Sequence, residues 1–508
     1  MRNVITKATM TKINRKNLLW IMTDQHQAGC LGCMGNPVIQ TPNLDRLAAE
    51  GTLFENAFCQ SPVCMASRGS VLTGRYPASI RIRGMGVLPP SETTLPEWLR
   101  RQGYHTGAFG KVHLTPEQYT QKVLKSDVPI LDWQHFAKDA CLAAFPDDPY
   151  KTNYGFETHV GCDDACRGNH VAWIQREAPE LLTRRVSRIP DAPGDLYVSP
   201  FPSEYHASTY IAKQADSYIR SNAKSDTPWM TFCSFIAPHH PFEAPADQIE
   251  RYNDADIPLP DPEVGVDIQT PPDALRPAIN EMLQYSESVQ RQIVRHYYAS
   301  ISLIDDCVGR LITAVEETGQ RDNTVVVFVS DHGEHLGQHG LLRKPSFHYD
   351  EVLRVPLILN WPGNKSGRRI GGLVELTDLY PTLLGLLDLP VNPGVQGRNW
   401  SGELRTNDRI GRDDCYSDMY ELDPMTHAKG SGPYCACQTI RTEDYKLNVY
   451  PTAGQESSQL FDLKNDPRET SNRFHDPAFQ SIRENMLWRM TARVHANTDP
   501  LPLRLTQW

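Results

Sequence analysis

The chain has 508 residues, 40% of them hydrophobic and 22% charged, and a formal net charge of −10. That is enough for one large α/β domain with an appendage, and enough apolar side chain for a sizeable core. The acidic balance and the lack of any basic stripe argue against a nucleic-acid partner, and the longest apolar runs, such as Thr324 to Val329, have the length of a strand and not of a membrane span. An anionic substrate stays open, because the local charge at a site decides that.

Residues 1–16 are polar and basic and lack the apolar stretch of a secretory signal, so they are read as a tail and the protein is expected to be cytoplasmic. Asn17 to Met22 is a continuous apolar run ending in Thr23-Asp24-Gln25, the pattern of a buried parallel strand that delivers polar residues at its carboxyl end. Thr41 to Gly51 reads as a short amphipathic helix with Pro near its start and Gly at its stop. Thr94 to Gly103 reads the same way and leads into a strand, Tyr104 to Phe109. From Thr115 to Pro228 the periodicity weakens and Pro, Asp and Gly accumulate, which predicts insertions and connecting loops. Strands follow at Trp229 to Ile236, at the β-branched run Thr324 to Val329 that ends in Ser330-Asp331-His332-Gly333, and at Val355 to Asn360.

Strands alternating with helices predict an α/β fold with a large, mainly parallel sheet flanked by helices. In such sheets the polar residues beyond the strand ends, here Asp24, Lys111, His239 and Asp331, converge on one crevice. A composition shift after Leu389 (Pro390, Pro393, Gly394, Gly397) separates a main domain, 17–390, from a smaller C-terminal α+β subdomain, 391–508. The latter is expected to hold an antiparallel sheet. Two of its strands lie around Thr442-Glu443-Asp444, another strand and a turn lie at Leu460 to Pro467, and a helix at Phe479 to Asn497 closes the chain.

Of the 12 cysteines, only Cys30/Cys33, Cys162/Cys166 and Cys435/Cys437 form close groups, and these are read as reduced and structural. Cys64 has two readings. Alone among small residues it would be a buried, inert thiol. It stands, however, in Cys64-Met65-Ala66-Ser67-Arg68, followed by Leu72-Thr73-Gly74-Arg75.

That segment resembles the signature of the type I, formylglycine-dependent sulfatases of the alkaline phosphatase superfamily. The resemblance extends from about Asn17 to Arg473, through Gly110-Lys111-Val112-His113, Pro238-His239-His240-Pro241-Phe242, Lys344 ahead of Tyr349 and Arg354-Val355-Pro356-Leu357, and Leu460-Phe461-Asp462-Leu463. It implies that a maturation enzyme oxidises Cys64 to formylglycine, whose hydrate is the nucleophile. A disulfide from Cys59 to Cys64 is therefore not expected. The resemblance further implies one divalent metal on Asp24, Gln25, Cys64, Asp331 and His332. Arg68 would position the nucleophile, Lys111 and Lys344 would stabilise charge on the transferring group, His239 would protonate the leaving group and His113 would take a proton from the hydrate. His240, His335 and His339 are assigned to packing or capping.

The chain departs from the commonest form of the family at Val112, where Trp is usual, at Phe461, which replaces Tyr, and at two residues of the implied metal site. Gln25 stands where a second Asp is usual, and His332 stands in place of Asn. Both occur in the phosphonate monoester hydrolase and choline sulfatase branch. They make the site softer and less negative, which suits manganese or zinc, with calcium kept open because the family commonly uses it. The expected activity is release of sulfate from a small-molecule or carbohydrate sulfate ester. The alternatives are hydrolysis of a phosphonate monoester or phosphodiester with the same nucleophile, and a non-catalytic binding protein of the same fold.

Overall fold

The computed structural model of the protein describes residues 15–114, 153–162, 168–252, 257–406, 409–422 and 434–497. The main sheet is built from β1 (Asn17–Asp24), β2 (Thr52–Phe58), β3 (His105–Gly110), β4 (Thr158–Gly161), β5 (Trp229–Pro238), β6 (Thr324–Ser330), β7 (Arg354–Asn360) and β8 (Arg368–Ile370). Their order is β8-β2-β7-β6-β1-β5-β3-β4, and Val374–Glu375 adds a further pairing on β2. Neighbours are parallel except at β7, which runs against both β2 and β6. Every residue of β1 and β6 is buried, as apolar strands covered on both faces require. Leu18, Trp20 and Met22 enter the core on one side of the sheet, and Leu19 and Ile21 enter the core on the other.

Register is what brings the polar strand ends together. Thr23 of β1 lies opposite Ser330 of β6, so Asp24 and Asp331 leave their strands side by side. Gly110 at the end of β3 lies opposite Ser234 of β5, and the Lys111 N–H donates to the Ser234 carbonyl at 2.9 Å. Only glycine fits position 110: its φ is +93°, and a Cβ there would stand 2.0 Å from that carbonyl oxygen. Two helices matter to the site, α1 (Pro42–Glu50) and α2 (Cys64–Thr73), and all of α2 is buried.

The smaller sheet is antiparallel and four-stranded, with Cys415–Leu422, Tyr434–Arg441, Tyr445–Val449 and Gln459–Asp462 in chain order. Helix Gln480–Ala496 packs on it through Met486 and Met490, against Tyr416, Ile440, Leu447 and Leu460. Its first strand is stitched to the approach to α2: the Asp418 N–H donates to the Gln60 carbonyl at 2.9 Å.

The structure corrects the sequence reading of Thr115 to Pro228. Residues 115–152 and 163–167 lie outside the described residues, and with them Cys166. The remainder is not loop: it contains β4 and helices Gly168–Glu177 and Ala207–Asn222. Several further elements have no counterpart in the predicted set, and three of them show why. In β2, Glu55 and Asn56 break the apolar alternation. Strand Cys415–Leu422 carries Ser417 and Asp418 at buried positions. The 31-residue helix Glu287–Glu317 is buried along most of its length, and His296, Ser300, Ser302 and Asp305 interrupt the apolar period that would announce it. Among the described residues no helix is long and apolar enough to cross a membrane.

Asp305 shows what such an inward polar residue does. Helix α1 has no side-chain cap from Thr41. Instead the Asp305 carboxylate, from the long helix, accepts the N–H groups of Asn43 and Leu44 at 3.1 and 2.8 Å and the Asn43 amide at 2.9 Å. Replacing Asp305 with Ala should cost about 1–3 kcal/mol, read as a lower urea midpoint of unfolding. An unchanged midpoint would mean that this long-range cap contributes nothing.

Candidate active site

The site is assembled at the carboxyl ends of β1, β3, β5 and β6 and the first turn of α2. Cys64 is the first residue of α2, preceded by Val63 in an extended conformation, so its side chain sits at the positive end of the helix. Its sulfur lies 2.6 Å from Lys344 Nζ, 3.2 Å from His332 Nε2 and 3.5 Å from Asp24 Oδ1. Burial and Asp24 work against a thiolate, but Lys344, Lys111 and His332 outweigh them and pull the thiol well below its ordinary pKa. Donor atoms of Asp24, Cys64, Asp331 and His332 all lie within 4.8 Å of one another, and all four residues are buried.

Two buried carboxylates side by side need compensation, and Arg68 supplies it. One turn along α2, its Nε donates to Asp331 Oδ2 at 2.7 Å and its Nη2 to Asp24 Oδ2 at 3.3 Å. Its Nη1 donates to the Lys111 carbonyl at 2.8 Å and to Ser234 Oγ at 2.9 Å. The side chain is fully buried and touches four strand ends, so it braces the carboxylates. Lys111 Nζ pairs with Asp24 Oδ2 at 2.7 Å. Burial disfavours the Asp24 charge, yet Lys111, His239, His332 and Lys344 hold its carboxyl well below the usual range.

His332 donates from Nδ1 to the Gly333 carbonyl at 2.9 Å, which turns Nε2 toward Cys64 and Asp24. Burial and Lys344 press its pKa down, while Asp331, Cys64 and Asp24 press it up to about 10. Position 333 must be glycine, since a Cβ would meet the Glu351 carbonyl oxygen at 1.9 Å.

Gln25 adopts a left-handed backbone, φ +63°. Its N–H donates to Asp331 Oδ1 at 3.1 Å and its carbonyl accepts from Tyr297 at 2.6 Å. Its side-chain nitrogen contacts Glu334 Oε2 and lies 3.2 Å from His240 Nδ1, whereas its buried Oε1 has no partner.

His239 touches Cys64, and its Nδ1 contacts the His240 carbonyl. Burial and Lys344 lower its pKa. His113, at φ +53°, is buried two residues beyond Lys111 with Nδ1 unpartnered. Among the described residues no hydrogen bond joins His113 to Cys64. His240 stacks on His239 at 4.0 Å between ring centroids. His335 and His339 lie against Tyr349, at 6.1 and 3.7 Å.

The sequence reading missed Ser234, which holds Arg68, and Glu334, which holds Gln25; their only signal was their place just after or at a strand end. It also missed Arg343. That side chain pairs with Asp195 through two nitrogens, at 3.0 and 2.7 Å, and with Glu281, and so anchors the residue next to Lys344. Cys59 and Cys64 are both free thiols, as are the other cysteines among the described residues.

The sulfatase family profile matches residues 16–389, and the profile for the C-terminal region of N-sulphoglucosamine sulphohydrolase matches residues 337–496. The chain belongs to the sulfatase family. The arylsulfatase of Clostridium perfringens is 28% identical to this sulfatase over 513 residues, spanning 96% of each chain. The multifunctional alkaline phosphatase superfamily protein PehA of Trinickia caryophylli is 27% identical, over 94% of this chain and 96% of its own. The crystal structure of the phosphonate monoester hydrolase of Agrobacterium radiobacter superposes on this sulfatase with a TM-score of 0.78, covering 97% of this chain and 98% of its own at 22% identity, which shows a shared fold.

In this sulfatase, Arg68→Ala would strand Asp24 and Asp331 in a buried site. The expected cost is about 3–5 kcal/mol, measured by thermal unfolding in the presence of a chelator. A melting temperature equal to that of the parent protein would show that Lys111 alone compensates both carboxylates.

Proposed function

We propose that this sulfatase releases sulfate from an organic or carbohydrate sulfate ester, using formylglycine derived from Cys64 and one divalent metal. The observation that carries the reading is the juxtaposition of residue 64, at a helix start, with three metal-donor side chains and two ammonium groups. A maturation enzyme that oxidises Cys64 is implied.

The residues fit a cation. Two carboxylates and an imidazole crowd one another, and the buried Gln25 Oε1 lacks a donor. Asp24, Gln25, Asp331, His332 and residue 64 would hold it, and oxygen donors with one imidazole suit calcium or manganese. When bound, such an ion supplies Lewis-acid charge that offsets the anionic ester. Formylglycine at position 64 would supply the nucleophile as its hydrate.

The remaining work falls to side chains of the chain itself. Lys344 and Lys111 flank residue 64 and stabilise negative charge on the sulfuryl oxygens. Arg68 holds Asp24 and Asp331 in register through its hydrogen bonds to both. His239, held from Nδ1, presents Nε2 to deliver a proton to the leaving oxygen; its lowered pKa rises when the anionic ester enters beside it. His113, with an unpartnered Nδ1, takes the proton released as sulfate leaves.

A phosphonate monoester or phosphodiester is the second reading. Gln25 favours it, because an amide in place of a carboxylate makes the pocket less negative.

The deciding test is mass spectrometry of the tryptic peptide carrying residue 64, from protein made in its native host. An aldehyde mass is expected; an unmodified thiol in protein that turns over an aryl sulfate would sink the assignment of the nucleophile. The Cys64→Ser variant should bind substrate and stall. Metal dependence is checked separately. Dialysis against a chelator should abolish aryl sulfatase activity and calcium or manganese should restore it, whereas full activity in chelator would remove the metal from the account. Rates on paired aryl sulfate and aryl phosphonate esters rank the two substrate readings.

A further inference from the structure

An amide has two unlike ends. Its oxygen attracts a cation and its NH2 repels one, yet exchanging them needs only a rotation about the last side-chain bond. At Gln25 the backbone is pinned on both sides by Asp331 and Tyr297, so the direction of the amide is left to the neighbours of the side chain.

We propose that Glu334 is a positioning residue that fixes the Gln25 amide with its oxygen toward the Asp24, Asp331 and His332 cluster. The proposal rests on the metal-dependent reading above. Glu334 is fully buried, and its own orientation is set by Oε1, which accepts the Leu336 N–H at 2.9 Å. That leaves Oε2 facing the Gln25 side chain. The atom that meets Oε2 is Gln25 Nε2, which donates to it, so the NH2 end of the amide is the end turned toward Glu334. The same nitrogen lies 3.2 Å from His240 Nδ1, a second atom able to accept from it. The oxygen is thereby turned away from Glu334 and left buried without any donor, the state expected of a ligand atom lacking its ion. Glu334 thus acts on the metal from outside the ligand set, through one hydrogen bond.

The test exchanges the polarity of that bond. In Glu334→Gln, the new amide keeps the Leu336 N–H on its oxygen and offers NH2 to Gln25, which must flip to meet it. Calorimetric titration of chelator-stripped protein with Mn2+, and separately with Ca2+, should show binding weakened about 10- to 100-fold. The metal-free melting temperature should stay unchanged. Adding Gln25→Glu to Glu334→Gln should restore affinity to within about threefold of the parent, because a carboxylate presents oxygen at both ends. Rescue of this kind would not follow from a merely structural role.

Parent-like affinity in Glu334→Gln overturns the proposal, as does an exchanged pair that folds and binds as weakly as Gln25→Ala. If Glu334→Gln alone does not fold, the exchanged pair decides by the same two outcomes. Parent protein that takes up neither ion sinks the metal reading and this inference together, which separates that failure from the failure of Glu334 alone.

Discussion

Arg68 is the interaction on which the rest of the site depends. Two carboxylates emerging from adjacent parallel strands would repel each other out of water, and burial raises the cost of every uncompensated charge. A guanidinium meets the requirement because its five donors lie in one plane and stay charged. It reaches Asp24, Asp331, Ser234 and the carbonyl of Lys111 at once, so the ends of β1, β3, β5 and β6 are tied to α2. A lysine there would bring a point charge and could not span those partners.

The charge pattern then follows in layers. Asp24 sits between Arg68 and Lys111, and residue 64 sits between Lys344 and His332. Anionic and cationic groups alternate across the floor, and each lysine can turn from an internal partner to an arriving anion. Arg343, clamped by Asp195 and Glu281, limits how far Lys344 can wander.

Much of this was legible in the chain, and the reason is local. Buried parallel strands announce themselves as unbroken apolar runs, and Asn17 to Met22 and Thr324 to Val329 are of that kind, so Asp24 and Asp331 could be placed at strand ends. Residues 64–68, 111, 239 and 344 were readable because they lie in short motifs. Elements whose buried positions carry polar residues were not. The helix Glu287–Glu317 turns Asp305 inward to Asn43 and Leu44, partners far away along the chain, and no window of sequence contains them together. Ser234 and Glu334 escaped for the same reason: each is ordinary in its own segment and acquires its role only through Arg68 or Gln25. The assignment of Thr115 to Pro228 to loops failed at Ala207–Asn222, whose apolar face is spelled largely with alanine, tyrosine and serine.

The placement of β1 bears on how the molecule comes to exist. Among the described residues β1 is the first strand, yet it lies in the middle of the sheet, and its two neighbours begin at Trp229 and Thr324. One hydrogen-bonding edge therefore waits for about two hundred further residues and the other for about three hundred, and closing them spans loops of those sizes. Contacts so distant in sequence make assembly slow. An apolar strand with two free edges is also a template for wrong pairing, so the nascent chain must be shielded over that interval. The arrangement that sets Asp24 beside Asp331 in the finished enzyme also leaves an apolar strand waiting for partners encoded far along the chain.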